Sequence, residues 1–314
     1  IYAKFAKDNY FSTEPSSKVV IKEVSDGYSI EKINDLKLLG ESFGYLFIPK
    51  MIKGKEVIEF GLNSQDSSIG ETDIDNSYIE FIYFYDTIKQ FREASFKYLN
   101  KLREIRKEHS IKAFKTKNII TTIYKSMFEN NYLLKELPFD TTTVKNVEER
   151  ALAACEQLPD MLFRDLERVG KRAFYSSTLK IRVGEKITLP DGSDAYNTKL
   201  TYVDNEGFNN SSLYGRIICN NLAYAPGESK IGCFSSTYIE SFSTTKDYVV
   251  GDETFSGCPK LEKVETGKIK KAKGLFRFCE KLQSFDGNLI EELNQSVFLD
   301  CFEIKKLEFG KYNK

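Results

Sequence analysis

Phe255, Phe276 and Phe298 each anchor the same short pattern, and that pattern restricts the chain to one kind of architecture. Val250-x4-Phe255-x2-Cys258-x2-Leu261-x2-Val264 is followed by Phe276-x2-Cys279-x2-Leu282-x2-Phe285. A third copy runs Leu293-x4-Phe298-x2-Cys301-x2-Ile304-x2-Leu307, with the phenylalanines 21 and 22 residues apart. A unit this short cannot bury its own apolar side, so copies must stack and share one continuous column.

The template extends backward in weaker form. Ile123-x4-Phe128-x2-Asn131-x2-Leu134-x2-Leu137 matches it in full, with Asn in the cysteine slot. Val147-x4-Leu152-x2-Cys155-x2-Leu158 puts Leu where Phe stands elsewhere. Val169-x4-Phe174-x2-Ser177 and Val203-x4-Phe208-x2-Ser211 follow, and a degenerate copy surrounds Phe234, for eight units in all. The slot three residues after the Phe takes Cys, Asn, Ser or Thr, which suits a tight bend with a small side chain turned inward. The residues after each Leu, such as Glu262-Lys-Val264, Gln283-Ser-Phe285 and Lys306-Leu-Glu-Phe309, are short and often β-branched or aromatic. They predict short strands that add up to a narrow parallel sheet.

These residues resemble the BspA-like leucine-rich repeats. The resemblance is carried by the run Lys125–Val147, by Phe255-Ser-Gly-Cys258-Pro-Lys-Leu261 and by Lys186-Ile-Thr-Leu-Pro190-Asp-Gly. It covers residues 119–314 and implies a right-handed solenoid working in adhesion or recognition outside the cytoplasm of a bacterium or protist, or on a virus. Similar repeats occur in structural and host-recognition proteins of phages. The units lengthen and lose Cys over 180–250, which interrupts the regular pattern there.

Residues 1–118 show no copy of the template. Lys18–Val24, Phe43–Ile48, Glu56–Phe60 and Tyr78–Tyr85 read as strands, with turns at Gly27, Gly54 and the polar stretch 63–76. Asp86 to Lys107 reads as one long helix. Ile88, Phe91, Tyr98, Leu102 and Ile105 recur near heptad spacing, with Ser95 where a further apolar residue would complete it. A coiled-coil seam is one reading. A helix capping the open end of the solenoid is the other, favoured because Phe96 and Leu99 widen the stripe. The expected fold class is therefore α+β: a small β-rich N-terminal domain over 1–85, a linking or capping helix over 86–118, and a leucine-rich-repeat solenoid with a narrow parallel sheet over 119–314.

Composition narrows the function. The 46 basic and 46 acidic side chains cancel, so the counterion release that drives nucleic-acid binding has no basic stripe behind it. No apolar run is long enough to span a bilayer, so no membrane insertion is expected. The chain starts at Ile1 with nothing shaped like a signal peptide, and a missing leader or a longer parent chain is expected. The single histidine, His109, lies in the charged run Arg106-Lys-Glu-His109-Ser and reads as a solvated bystander, which removes the common acid–base and nucleophile-activating mechanisms. No phosphate-binding loop or nucleophile motif is present.

Cys155, Cys258, Cys279 and Cys301 share one repeat slot and read as small buried apolar residues; Cys219 and Cys233 leave a disulfide open. No zinc spacing exists. The acidic loops Glu71–Asn76 and Asp191–Asn197 have alternating oxygen ligands of the kind calcium uses, but neither completes a loop motif and both suit ordinary turns. Asn-x-Ser sequons stand at Asn209, Asn210 and Asn294, and the basic cluster Lys268–Lys273 reads as a solvated face. No catalytic, cofactor or metal residue is expected. The expectation is a non-enzymatic module on a cell surface or virion, binding protein or glycan through exposed Tyr and Phe in the variable positions, and able to join a homo-oligomer or larger assembly. The alternative is a phage structural component that docks by its N-terminal part.

Overall fold

A computed structural model describes residues 19–33, 45–48, 50–52, 54–60, 80–85, 87–93, 95–97, 99–107, 120–178, 180–224 and 230–308. The chain divides into two units. The first comprises Ile1–Ile119, Tyr124–Asp140 and Cys155–Leu158; the second comprises Ile120–Ile123, Thr141–Ala154 and Pro159–Lys314. Among the described residues there is no α-helix, only the three-residue 3-10 turns Thr141–Thr143 and Gly287–Leu289, and no helix is long and apolar enough to cross a membrane. The architecture is a β-solenoid, which overturns the expected α+β class.

The correction falls on the expected helix. The described residues of 86–107 instead hold the strands Gln90–Phe91 and Glu104–Lys107, with turn residues among those between them. Phe91-x4-Phe96-x2-Leu99-x2-Leu102-x2-Ile105 is a copy of the repeat, with Leu99 in the cysteine slot. Its apolar steps of five and three imitate a helical stripe when they are counted without reference to the other copies. The side chains of Ile88, Phe91, Phe96, Leu99, Leu102 and Ile105 are all buried, as the repeat requires of its apolar positions. Tyr98 and His109 lie outside the described residues, as does the acidic loop 71–76.

The first unit carries parallel pairing on two sides. Tyr45–Phe47, Phe81–Phe84 and Glu104–Lys107 form one parallel sheet. Lys55–Phe60 pairs in parallel with Gly27–Ile33 and Gln90–Phe91, while Val19–Val24 and Met51–Ile52 join antiparallel. Strands Val19–Val24, Tyr45–Phe47, Lys55–Phe60 and Phe81–Phe84 thus stand within or against the expected stretches 18–24, 43–48, 56–60 and 78–85, of which residues 18, 43, 44, 78 and 79 lie outside the described residues. Phe60, Phe84, Phe91 and Phe96 cluster edge to face or stacked with centroids 5.2–6.0 Å apart, and Phe96 stacks on Phe128 at 5.2 Å and 14°.

In the second unit the strands after each Leu form the expected parallel sheet. Its order is Met161–Phe163, Lys180–Val183, Ser212–Ile218, Tyr238–Ser243, Lys263–Glu265, Ser284–Asp286 and Lys306–Glu308. The residues five before the Phe make a second parallel sheet of Thr122–Ile123, Asn146–Val147, Arg168–Val169 and Tyr202–Val203. Between the sheets runs a ladder of rings. Phe174, Phe208, Phe234, Phe255, Phe276 and Phe298 stack in sequence at 5.1–6.0 Å with interplanar angles of 6–19°. That spacing sits close to the distance between hydrogen-bonded strands, so the backbone ladder places the rings in contact.

The bend around each Phe has a backbone rule of its own. The residues two before and two after it adopt positive φ: Ser126 and Asn130, Arg150 and Ala154, Arg172 and Ser176, Glu206 and Asn210, Gly232 and Ser236, Glu253 and Gly257, Gly274 and Phe278, Ser296 and Asp300. Left-handed backbone costs an L-residue about 1–2 kcal/mol. In the bends from Leu152 to Phe276 it is held because alternate N–H groups reach the next turn. Arg172 N, Phe174 N and Ser176 N donate to Asn205 O, Gly207 O and Asn209 O, while Ala173 N and Tyr175 N close bonds within their own turn. Every donor of the bend is thereby satisfied.

Candidate functional site

The repeat positions named from the pattern form the scaffold. Phe128, Leu134, Leu152, Cys155, Leu158, Phe174, Phe208, Phe234, Phe255, Cys258, Leu261, Phe276, Cys279 and Leu282 are buried, and Phe298, Cys301 and Ile304 are half-buried. The slot is inward-facing as expected, but its chemistry is hydrogen bonding. Asn131 Nδ2 donates to Phe96 O and Phe128 O at 2.7 and 2.8 Å, Cys155 Sγ to Phe128 O at 3.2 Å, and Ser177 Oγ to Leu152 O. Cys258, Cys279 and Cys301 thiols donate to Phe234 O, Phe255 O and Phe276 O at 2.9–3.1 Å. Ser211 and Thr237 bond the Phe carbonyl of their own turn. Cys, Asn, Ser and Thr share a donor and a small volume, which explains the slot better than apolarity does.

None of the six cysteines is in a disulfide. Burial pushes the thiols of Cys155, Cys219 and Cys233 up to about 12, so they stay protonated and unreactive. Among the described residues no cluster of His, Cys, Asp or Glu could hold a metal. In the loop considered for calcium, Asp191 accepts from Ser193 N at 2.9 Å and from Ser193 Oγ, and Asp194 pairs with Lys186 at 2.7 Å. The loop is the tip of an antiparallel hairpin, Glu185–Thr188 with Asp194–Asn197, that branches from the lengthened turn and pairs in parallel with Ser212–Ile218.

Solvent-facing chemistry concentrates beside this hairpin, on the outer face of the parallel sheet. Strand alternation sends Ile181, Leu213 and Ile239 inward and Arg182, Tyr214 and Tyr238 outward. Tyr214 and Tyr238 are direct register partners on adjacent strands. The Tyr214 hydroxyl donates to Asp160 Oδ2 at 3.2 Å, and Arg182 Nε donates to the other oxygen of Asp160 at 3.2 Å. Tyr214's phenol is raised above its ordinary value, first by burial and then by the Asp160 carboxylate. One strand position further on, Arg216 reaches Asp191 at 3.3 Å, Glu240 at 3.9 Å and the Ser193 hydroxyl. Between the two groups lies Gly215 at φ +93°, where an added Cβ would stand 3.0 Å from Tyr196 Cε2; the glycine lets that ring lie against the sheet.

A second outward row, Thr122, Asn146, Arg168 and Tyr202, crosses the other parallel sheet. There Arg168 lies 4.5 Å and Lys230 5.0 Å from the Tyr202 ring centroid, with Tyr224 edge-on at 6.0 Å, so the ring is already covered. Tyr238 is 48% exposed, and among the described residues no ring or cation covers it. Sequence reasoning missed the face residues Asp160, Arg182, Tyr214, Arg216 and Tyr238. Their signal was the alternation in Lys180-Ile-Arg182-Val and Ser212-Leu-Tyr214-Gly-Arg216-Ile, which sets Tyr and Arg against an apolar partner face.

The model of the BspA type leucine rich repeat region matches residues 67–212 and 201–314, in 6 copies. The chain belongs to this family. As a BspA-type repeat protein it is similar to a leucine rich cell surface protein from Faecalibacterium prausnitzii, at 14% identity and TM-score 0.47 over 95% of this chain and 94% of that one. It is also similar to a leucine-rich repeat protein from Bacteroides ovatus, at 17% identity and TM-score 0.35 over 94% of this chain and 88% of that one. The pneumococcal vaccine antigen PcpA matches at 15% identity and TM-score 0.36 over 90% of this chain and 88% of that one. No curated protein matches this BspA-type chain. The family supports a repeat-based binding module.

Proposed function

We propose that this chain is a non-catalytic recognition module, displayed extracellularly on a cell surface or virion, that binds protein or glycan through the outer face of its parallel sheet. The observation that carries the reading is the register pair Tyr214–Tyr238 beside the Asp160–Arg182 bridge. Tyrosine and arginine held in place by neighbours contribute most of the energy at recognition surfaces and lose little entropy on binding.

The test is an array of extracellular matrix proteins and glycans probed with the full chain and with Arg182→Glu/Tyr238→Ala. Saturable binding that the double variant abolishes supports the reading. Binding the variant leaves unchanged, or none on either array, overturns it.

A further inference from the structure

The face built by Asp160, Arg182, Tyr214, Arg216 and Tyr238 has two properties that together specify a ligand class. The first is an aromatic platform. Tyr214 and Tyr238 are opposite each other in parallel register, so their side chains rise from strands roughly 4.8 Å apart. Tyr238 leaves its ring to solvent, while Tyr214 is fixed at its hydroxyl by Asp160.

The second property is that the charges are already matched in place. Asp160 holds Arg182, and Arg216 holds Asp191 and Glu240. An anionic ligand would have to displace these carboxylates, and a cationic ligand the guanidinium groups. A neutral ligand rich in hydroxyls displaces neither. It accepts from the remaining guanidinium N–H groups and donates to the free lone pairs of the carboxylates, with the geometry of each pair already set. A dry protein interface fits less well, because burying intact ion pairs carries a desolvation cost that their mutual attraction does not always recover. A sugar keeps the site wet and hydrogen-bonded.

We infer that this face binds a neutral oligosaccharide of pyranose units, with the C–H face of one ring against Tyr238 and its hydroxyls bridging the Arg182–Asp160 and Arg216–Asp191 pairs. The inference rests on the recognition reading above and narrows it to one ligand chemistry.

The experiment is saturation-transfer NMR on the full chain with neutral gluco-, manno-, galacto- and xylo-oligosaccharides, alongside the matrix-protein array. At least one sugar is expected to show saturation of its C–H protons. Tyr238→Ala, an exposed position whose variant should keep the parent melting temperature, is expected to weaken that sugar by about tenfold or more. Tyr214→Phe keeps the ring and is expected to weaken it less. The affinity is expected to change less than about twofold between low and high salt, since no net charge is exchanged. Saturation of no sugar, or saturation that Tyr238→Ala leaves unchanged, overturns the inference. If a matrix protein binds instead and Tyr238→Ala removes it, the glycan assignment fails and the recognition reading stands. If neither class of ligand responds to Tyr238→Ala, both fail.

Discussion

The turns centred on Phe255 and Phe276 and those centred on Phe174 and Phe208 obey the same core and differ on the surface. Phe255 and Phe276 are 21 residues apart and stack at 5.9 Å and 6°; Phe174 and Phe208 are 34 apart and stack at 5.1 Å and 6°. The longer turn spends its extra residues on the hairpin 185–197, outside the column. Turn length is therefore invisible to the ring ladder, because hydrogen bonds between turns set the separation whatever the contour length of the chain. What length changes is the outside, and the paired Arg, Asp and Tyr groups gather beside that hairpin. Lengthening is a way to build a surface without paying for it in the core.

The strongest challenge to this comparison is to remove one ring from each region. Phe208→Ala and Phe255→Ala, both fully buried, are each expected to lose about 3–5 kcal/mol in urea unfolding. A long-turn loss less than half the short-turn loss would show that the lengthened turn is not part of the same column. The slot donors come next. Ser177→Ala in the long turn and Cys279→Ala in the short one each deprive a buried carbonyl of a donor, and each should cost about 1–3 kcal/mol by calorimetry. A cost confined to Cys279 would tie the slot rule to regular turns.

A smaller effect is expected from Gly215→Ala, which combines φ +93° with a close approach to Tyr196. It should cost about 1–2 kcal/mol and raise amide exchange across 194–197, and unchanged exchange there would remove Tyr196 from the support of the hairpin. The smallest effect carries the opposite sign. Ala154→Gly relieves a left-handed residue at φ +55° and is expected to gain up to about 1 kcal/mol, read as a higher melting temperature. A loss there would mean that the bends are set by something other than the bonds between turns.

Much of the column could be read from the chain. Eight units were marked by Phe128, Leu152, Phe174, Phe208, Phe234, Phe255, Phe276 and Phe298, and the positive-φ pairs fall around each of those residues. Strands after Leu261, Leu282 and Ile304 appear where alternation put them. The copy at Phe91–Ile105 was misread because Leu99 occupies a slot that elsewhere carries a donor, and because steps of three suit a helix as well as a bend. The binding face was harder to see, since its members are scattered from Asp160 to Glu240 and only register brings them together.

The apolar spacing by itself determined that the chain must stack short units around a column of rings, because no single unit can bury its own face. Which residues turn left-handed, that the slot is a hydrogen-bonding position, and that Tyr214 falls in register with Tyr238 beside Asp160 were decided only by the tertiary structure. Those features depend on carbonyls and side chains from other turns, 20 to 54 residues away along the chain, and the identity of Ala154 or Arg172 carries no trace of the partner that holds its backbone.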